Sequence, residues 1–173
     1  VCDWVIAPAP VSQLVEATAY NIAASLLTKL SYVGVMTLEF FYGSEGLFVN
    51  EIAPRTHNSG HFSIEACSSS QFDQQLCIAA GLDVPNPEFI ADGSLMVNLL
   101  GLSADQAEPL EERLSKLRSI EALHLHWYGK DEIHGRKVGH VTTLLHGRNA
   151  DERAEQGQKI LKSIREVWPL PLK

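Results

Sequence analysis

A hairpin carrying one glutamate on each arm constrains this chain more than any other feature. Val35 to Phe41 is apolar and β-branched or aromatic except for Glu39, and Leu47 to Ile52 reads as a second strand. Gly43-Ser44-Glu45-Gly46 between them is a turn signal. Folded symmetrically about residue 45, the hairpin sets Glu39 directly opposite Glu51. Like charges in that position repel, and a divalent cation would offset the repulsion. Hard oxygen ligands suit magnesium, which takes one or two carboxylates and fills its other positions with water and substrate phosphate. The implied ligand is a metal-bound nucleotide. The competing reading leaves both glutamates solvated on an open sheet face, salt-bridged to Arg55.

The second arm runs into Asn50-Glu51-Ile52-Ala53-Pro54-Arg55-Thr56-His57-Asn58-Ser59-Gly60-His61. Arg55 offers a planar fork for phosphate or carboxylate. Asn58, Ser59 and Gly60 favour a turn whose backbone N–H groups can converge on an anion. His57 and His61 are four residues apart, a spacing that binds zinc on a helix. Pro54 and the Asn58-Ser59-Gly60 run predict a loop instead, and no cysteine lies near enough to complete a zinc site.

The 173 residues suffice for one domain or two small ones, and with 45% hydrophobic and 20% charged residues the chain can bury a core. A net charge of −7 argues against a general nucleic-acid surface. No apolar run approaches the ~20 residues needed to span a bilayer, and no basic-then-apolar leader opens the sequence. Cys2, Cys67 and Cys77 are odd in number and form no CxxC pair, which favours a reducing cytoplasm over a disulfide framework. Against the acidic background, Lys130, Arg136, Lys137 and His140 form a local basic cluster. Two strands flanking such a turn can clamp a phosphomonoester; the alternative is an ordinary solvated basic turn.

Ser12 caps a predicted helix to about Leu30, with Val15, Ala19, Ile22, Ala23, Leu26, Leu27 and Leu30 at helical spacing. Ser70 precedes a second helix through Ala80, with Phe72, Leu76, Ala79 and Ala80 on its apolar face. Both helices are expected to serve the core. Asp83 to Pro87 is the best candidate linker. Beyond it come a strand at 95–100, a helix at 109–118, strands at 122–128 and 137–145, and a last helix from Asn149, with Glu152 as its capping box, to about Val167. The opening Val1-Cys2-Asp3-Trp4-Val5-Ile6-Ala7-Pro8 reads as a strand already under way without an initiating methionine, so the chain is expected to be a piece of a longer protein.

Asn50 to Arg55 followed by His57 to His61 resembles the signature of 5-(carboxyamino)imidazole ribonucleotide synthase, the ATPase subunit of phosphoribosylaminoimidazole carboxylase and an ATP-grasp ligase of purine biosynthesis. Ser70-Gln71-Phe72, His124 to Lys130 and Gly135 to His140 are similar to further segments of that family. The resemblance covers roughly residues 1 to 145. It implies an α+β fold: the C-terminal half of an ATP-grasp domain over 1–92, then a small β-rich domain over 93–173. It also implies a reaction in which ATP activates bicarbonate as carboxyphosphate and the carboxyl passes to 5-aminoimidazole ribonucleotide. Carried over by motif, Glu39 and Glu51 would hold Mg2+ bridging the ATP phosphates, with Asn50 beside them at the nucleotide. Arg55 and His57 would face the reacting groups as catalytic residues, and Asn58 would lie at the substrate with them. Lys130, Arg136 and Lys137 would bind the ribonucleotide phosphate.

The family's N-terminal domain and first half of the ATP-grasp fold supply the adenine pocket and a nucleotide lysine, which do not occur here. The chain alone is therefore expected to be inactive, its partner being the rest of the same enzyme, and the parent is expected to be a homodimer. The rivals are another ATP-grasp ligase, which would share the paired acids but not the His124–His140 run, and a non-catalytic nucleotide-binding module.

Overall fold

Every ladder between strands is antiparallel among the described residues, 2–103 and 108–172 of the computed structural model. Val1, where the expected opening strand starts, lies outside them. The chain divides into two compact units, the first formed by the N-terminal residues through Ala9 with Phe89 onward, the second by Pro10 to Glu88. The N-terminal strand, β1 (Trp4–Ala7), pairs with β4 (Gly93–Leu100), with Trp4 opposite Val97 and Ala7 opposite Ser94.

In this discontinuous unit the sheet order is β1-β4-β6-β5, where β5 is His124–Trp127 and β6 is Lys137–Leu145. All eight residues of β4 are buried, as its place between two neighbours requires. Two helices, α4 (Leu110–Arg118) and α5 (Ala150–Val167), complete the unit, and α5 packs on both β4 and β6. Leu95, Val97 and Leu99 alternate along β4 and meet Leu114, Leu117, Val138, Val141, Leu145, Ile164 and Trp168 in one apolar cluster. Trp168 is fully buried and satisfies its indole N–H on the Leu100 carbonyl at 2.8 Å.

The second unit holds α1 (Gln13–Leu30), the hairpin of β2 (Thr37–Gly43) and β3 (Gly46–Ala53), a short helix α2 (Ser63–Ala66) and α3 (Gln71–Ala79). Ser12 and Ser70 cap α1 and α3 as expected; Ser70 and Asp73 form a reciprocal capping box. The expectation that these helices serve as core is not met for α1, which has no fully buried residue. Val15, Ala19, Ile22, Ala23, Leu26 and Leu27 form its least exposed face, but a two-stranded sheet covers that face only in part. Leu76 of α3 is likewise exposed. No described helix is long and apolar enough to cross a membrane.

The segment from Gly129 to Arg136 folds back on the end of β4 through Gly101. The Gly101 N–H donates to the Arg136 carbonyl at 2.8 Å, and its carbonyl accepts from Gly135 N at 2.9 Å. A Cβ on Gly101 would stand 2.1 Å from the Ile133 carbonyl oxygen, a clash with backbone that no rotamer relieves. Gly101→Ala should therefore displace this segment and lower stability by about 1–3 kcal/mol. A denaturant titration of the full-length protein would test this, and an unchanged midpoint would contradict the close approach.

Candidate functional site

The hairpin turn is Ser44-Glu45, with Gly43 opposite Gly46 and Phe40 opposite Val49. Continued regularly, that register would set Glu39 against Asn50, not Glu51. A bulge at Asn50 inserts one extra residue into β3 and brings Glu51 opposite Glu39. The predicted pairing thus occurs, but through a bulge and not through symmetry about residue 45. The Asn50 amide Nδ2 donates to Glu39 Oε2 at 3.2 Å.

His57 completes the cluster. Its Nε2 lies 3.4 Å from Glu39 Oε1 and 3.9 Å from Glu51 Oε1, and one ligand atom from each of the three residues falls within 4.8 Å of the others. The imidazole is largely enclosed, with 11% of its side chain exposed, whereas Glu51 is 56% exposed. Ser59 N–H, an obligate donor, points at His57 Nδ1 at 3.3 Å, and Ser59 Oγ lies 2.9 Å from the same nitrogen. Nδ1 is therefore an acceptor, and the proton of the neutral ring sits on Nε2, toward the carboxylates. In that tautomer His57 is a donor to the acids rather than a metal ligand. The ligands left are hard oxygens, which suit Mg2+ and not zinc.

Arg55 does not bridge the acids. Its exposed guanidinium donates to the Thr56 carbonyl at 3.0 Å, and the side chain within reach of both carboxylates is His57. The expected nest of convergent backbone N–H groups does not form either. Residues Asn58–Gly60 make one 3-10 turn, in which Gly60 N donates to His57 O at 3.0 Å and His61 N to Asn58 O at 3.1 Å. With Ser59 N aimed at His57 Nδ1, these donors are used inside the loop. Asn58 is half-buried on the same turn.

The sequence reading gave Gln71 no role, yet it holds this loop. Its buried side-chain amide accepts from His57 N at 2.9 Å, donates to His57 O at 2.8 Å and stands 3.0 Å from His61 Nδ1.

The basic residues lie in the other unit. Lys130 and Arg136 are exposed and Lys137 half-buried, opening β6. Lys130 Nζ lies 5.2 Å from the centre of the Tyr128 ring, and Tyr128 Oη is 2.7 Å from His140 Nδ1. His140 corrects the predicted cluster. It is 2% exposed in the middle of β6 and stacked on His126 with ring centres 4.5 Å apart, so it supports the turn from beneath. The middle of the turn is anchored by Glu132, whose carboxylate takes a two-pronged bond from Arg113 at 2.8 and 2.6 Å and the Leu102 N–H at 3.2 Å. Arg113 in turn lies 4.1 Å over the Trp168 ring. Nothing in the 19-residue separation of Arg113 and Glu132 signals this pair in the sequence.

Residues 1–72, which include the acidic pair, its bulged hairpin and this loop, match the ATP-grasp domain, and residues 94–156 match the phosphoribosylaminoimidazole carboxylase C-terminal domain; these matches set the class of the chain. Within that class the chain belongs with the N5-carboxyaminoimidazole ribonucleotide synthases. It is 44% identical over 172 residues to the enzyme of that name from Synechococcus elongatus, a match covering 99% of this chain and 43% of the relative. The crystal structure of the Thermus thermophilus N5-carboxyaminoimidazole ribonucleotide synthetase superposes with a TM-score of 0.81 at 36% identity, covering 99% of this chain and 44% of that one. The Aspergillus clavatus synthase in complex with ADP and 5-aminoimidazole ribonucleotide gives 0.79 at 30% identity, covering 96% and 44%. The chain thus spans less than half the length of these relatives. The mixed helix and antiparallel sheet architecture agrees with the expected α+β class.

Burial alone would raise the Glu132 pKa, but Arg113 and the Leu102 N–H outweigh it and hold the carboxyl below the ordinary glutamate range. A lowered folded-state pKa adds stability above the unfolded value, lost as pH falls through the folded one. Glu132→Gln should cost about 3 kcal/mol at neutral pH, because it strands the Arg113 charge. The gap to wild type should close in acid, below the usual glutamate range. Denaturant midpoints across that pH range would measure it, and a gap that does not vary with pH would refute the assignment.

Proposed function

We propose that this chain carries the metal site and a phosphate clamp of an ATP-dependent ligase that carboxylates 5-aminoimidazole ribonucleotide with bicarbonate in purine biosynthesis. The observation that carries this reading is the Glu39–Glu51 pair, opposed across a bulge and fed by an imidazole donor. Mg2+ held by these carboxylates would supply charge neutralisation at phosphate oxygens during transfer. Asn50 orients Glu39 through its amide. His57 directs its Nε2 proton into the acidic cluster, where phosphate or carboxyl oxygens of a substrate could accept it. Arg55, exposed beside the loop, offers its remaining N–H groups to bicarbonate or the carboxyphosphate made from it, and Asn58 borders the same substrate. In the carboxylation step the ribonucleotide amine forms a C–N bond to the carboxyl carbon as the C–O bond to phosphate breaks.

Lys130, Arg136 and Lys137 bind the ribonucleotide 5′-phosphate in this reading, supported by the outward exposure of the first two on a turn pinned from within. Turnover belongs to the full-length protein, since the chain spans 43% of the Synechococcus relative. A cytoplasmic setting and a homodimeric parent are part of the same proposal. The rival of a non-catalytic nucleotide-binding module predicts ligand binding without turnover.

The test is ADP release by the full-length protein with Mg2+, bicarbonate and the ribonucleotide. Release should depend on the ribonucleotide and fall on the order of 100-fold or more in Glu51→Gln. Lys130→Ala and Arg136→Ala should raise the ribonucleotide KM about 10- to 100-fold each, as expected for a lost charge-assisted bond. ADP release indifferent to the ribonucleotide would end the carboxylation reading and favour another ATP-grasp substrate.

A further inference from the structure

The loop from Pro54 to His61 carries His57 to the acids, yet among the described residues no strand pairs with it. At His57 the backbone is extended, with φ −130° and ψ 152°, the conformation of a residue in a ladder. Its ladder partner is a side chain. The His57 N–H is an obligate donor, which fixes the amide oxygen of Gln71 at the 2.9 Å contact and the amide nitrogen at the His57 carbonyl, 2.8 Å away. The same nitrogen then donates to His61 Nδ1. One primary amide thus supplies the acceptor and the donor that an adjacent strand would supply.

Gln71 is itself held on three sides, through its backbone N–H, its side-chain oxygen and the residue before it. Gln71 N–H donates to Ser63 Oγ at 3.0 Å, and that hydroxyl donates to the Gly60 carbonyl at 2.6 Å. Gly60 packs so closely that a Cβ there would lie 2.7 Å from Gln71 Oε1. Ser70, immediately before it, is locked by the capping box that starts α3.

We propose that Gln71 is the positioning residue of the acidic site: its amide clamps both backbone groups of His57, so that with Ser59 on Nδ1 the ring keeps its Nε2–H toward Glu39 and Glu51. The catalytic consequence rests on the ligase reading above; the clamp itself does not. Only a primary amide of this length serves. Glutamate would present oxygen to the His57 carbonyl, methionine offers neither group, and asparagine is one methylene short.

The test reads the His57 ring nitrogens by long-range 1H–15N correlation in full-length, histidine-labelled protein, assigned by the signals lost in His57→Gln. Wild type should show a single Nε2–H tautomer. Gln71→Met and Gln71→Glu should move His57 toward a tautomer mixture and lower ribonucleotide-dependent ADP release about 10- to 100-fold, the usual range for loss of a supporting partner. His57 signals identical to wild type in both variants would overturn the clamp, whatever the rates. Should those variants fail to fold, Gly60→Ala presses on the same amide without removing it and should produce the same shift; an unchanged ring pattern there overturns the proposal equally. If the ring signals move while no protein shows ribonucleotide-dependent ADP release, the clamp stands and the ligase reading falls.

Discussion

The acidic site depends on one backbone irregularity, the bulge at Asn50. In a regular two-residue hairpin Glu39 would face an amide, and the two carboxylates would sit on different faces of the ribbon. The extra residue moves Glu51 into opposition, so that ligand atoms of both acids come within 4.8 Å of each other and of His57. For two carboxylates at that separation, one of them more than half exposed, the mutual repulsion is about 1 kcal/mol under water-like screening. A fold that spends a bulge to create repulsion is built for whatever relieves it. The structure supplies partial relief from the Asn50 amide and the His57 Nε2 proton, both neutral donors. A divalent cation would complete it, and the oxygen-only ligand set left by the His57 tautomer selects a hard one.

Rigidity reaches this site from an unexpected direction. The hairpin is only two strands wide, and Phe41, Tyr42, Phe48 and Val49 are exposed on it. The better-fixed element is the start of α3. Asp73 accepts from Ser70 N at 2.9 Å and Ser70 Oγ at 2.7 Å, and these bonds hold its carboxyl below the ordinary aspartate range. The capping box fixes where Gln71 leaves the backbone, Gln71 fixes His57, and Ser59 fixes the ring. Local helix-start chemistry is thereby coupled to the orientation of an imidazole beside the acidic pair.

Much of this was legible in the sequence because it rests on local rules. The hairpin followed from two apolar, β-prone runs around a glycine-bounded turn, three helix starts from Ser12, Ser70 and Asn149, and the β4 and β6 strands from their apolar runs. The Glu39–Glu51 opposition was foreseen, but its cause was not, since no residue type marks a bulge as asparagine rather than glycine would. The convergent N–H nest at residues 58–60 failed because those donors close their own 3-10 turn. The buried role of His140 was hidden by its neighbours: Arg136 and Lys137 are exposed or half-exposed, and a histidine three residues on reads as one more cation until the strand period turns it inward. Non-local partners such as β1 with β4, Gln71 with His57, and Arg113 with Glu132 have no local signature at all.

The last of these pairs bears on the anion site proposed for the basic turn. Glu132 lies between Lys130 and Arg136, and as a surface residue it would neutralise whichever of them it met. Instead it points inward to Arg113, whose side chain is 3% exposed, and accepts the Leu102 N–H besides. A buried ion pair of this kind adds little net stability over a hydrophobic substitute, because desolvation offsets most of the attraction. What it does supply is a sorting of charge. Arg113 takes up Glu132, one of the turn's two acids beside Asp131, Trp168 backs Arg113, and the aromatic face of Tyr128 stands beneath Lys130 without cancelling its charge. Of the two acids only Asp131 is left exposed with Lys130 and Arg136, so the turn keeps an excess of positive charge toward solvent, the condition under which a phosphate gains from arriving.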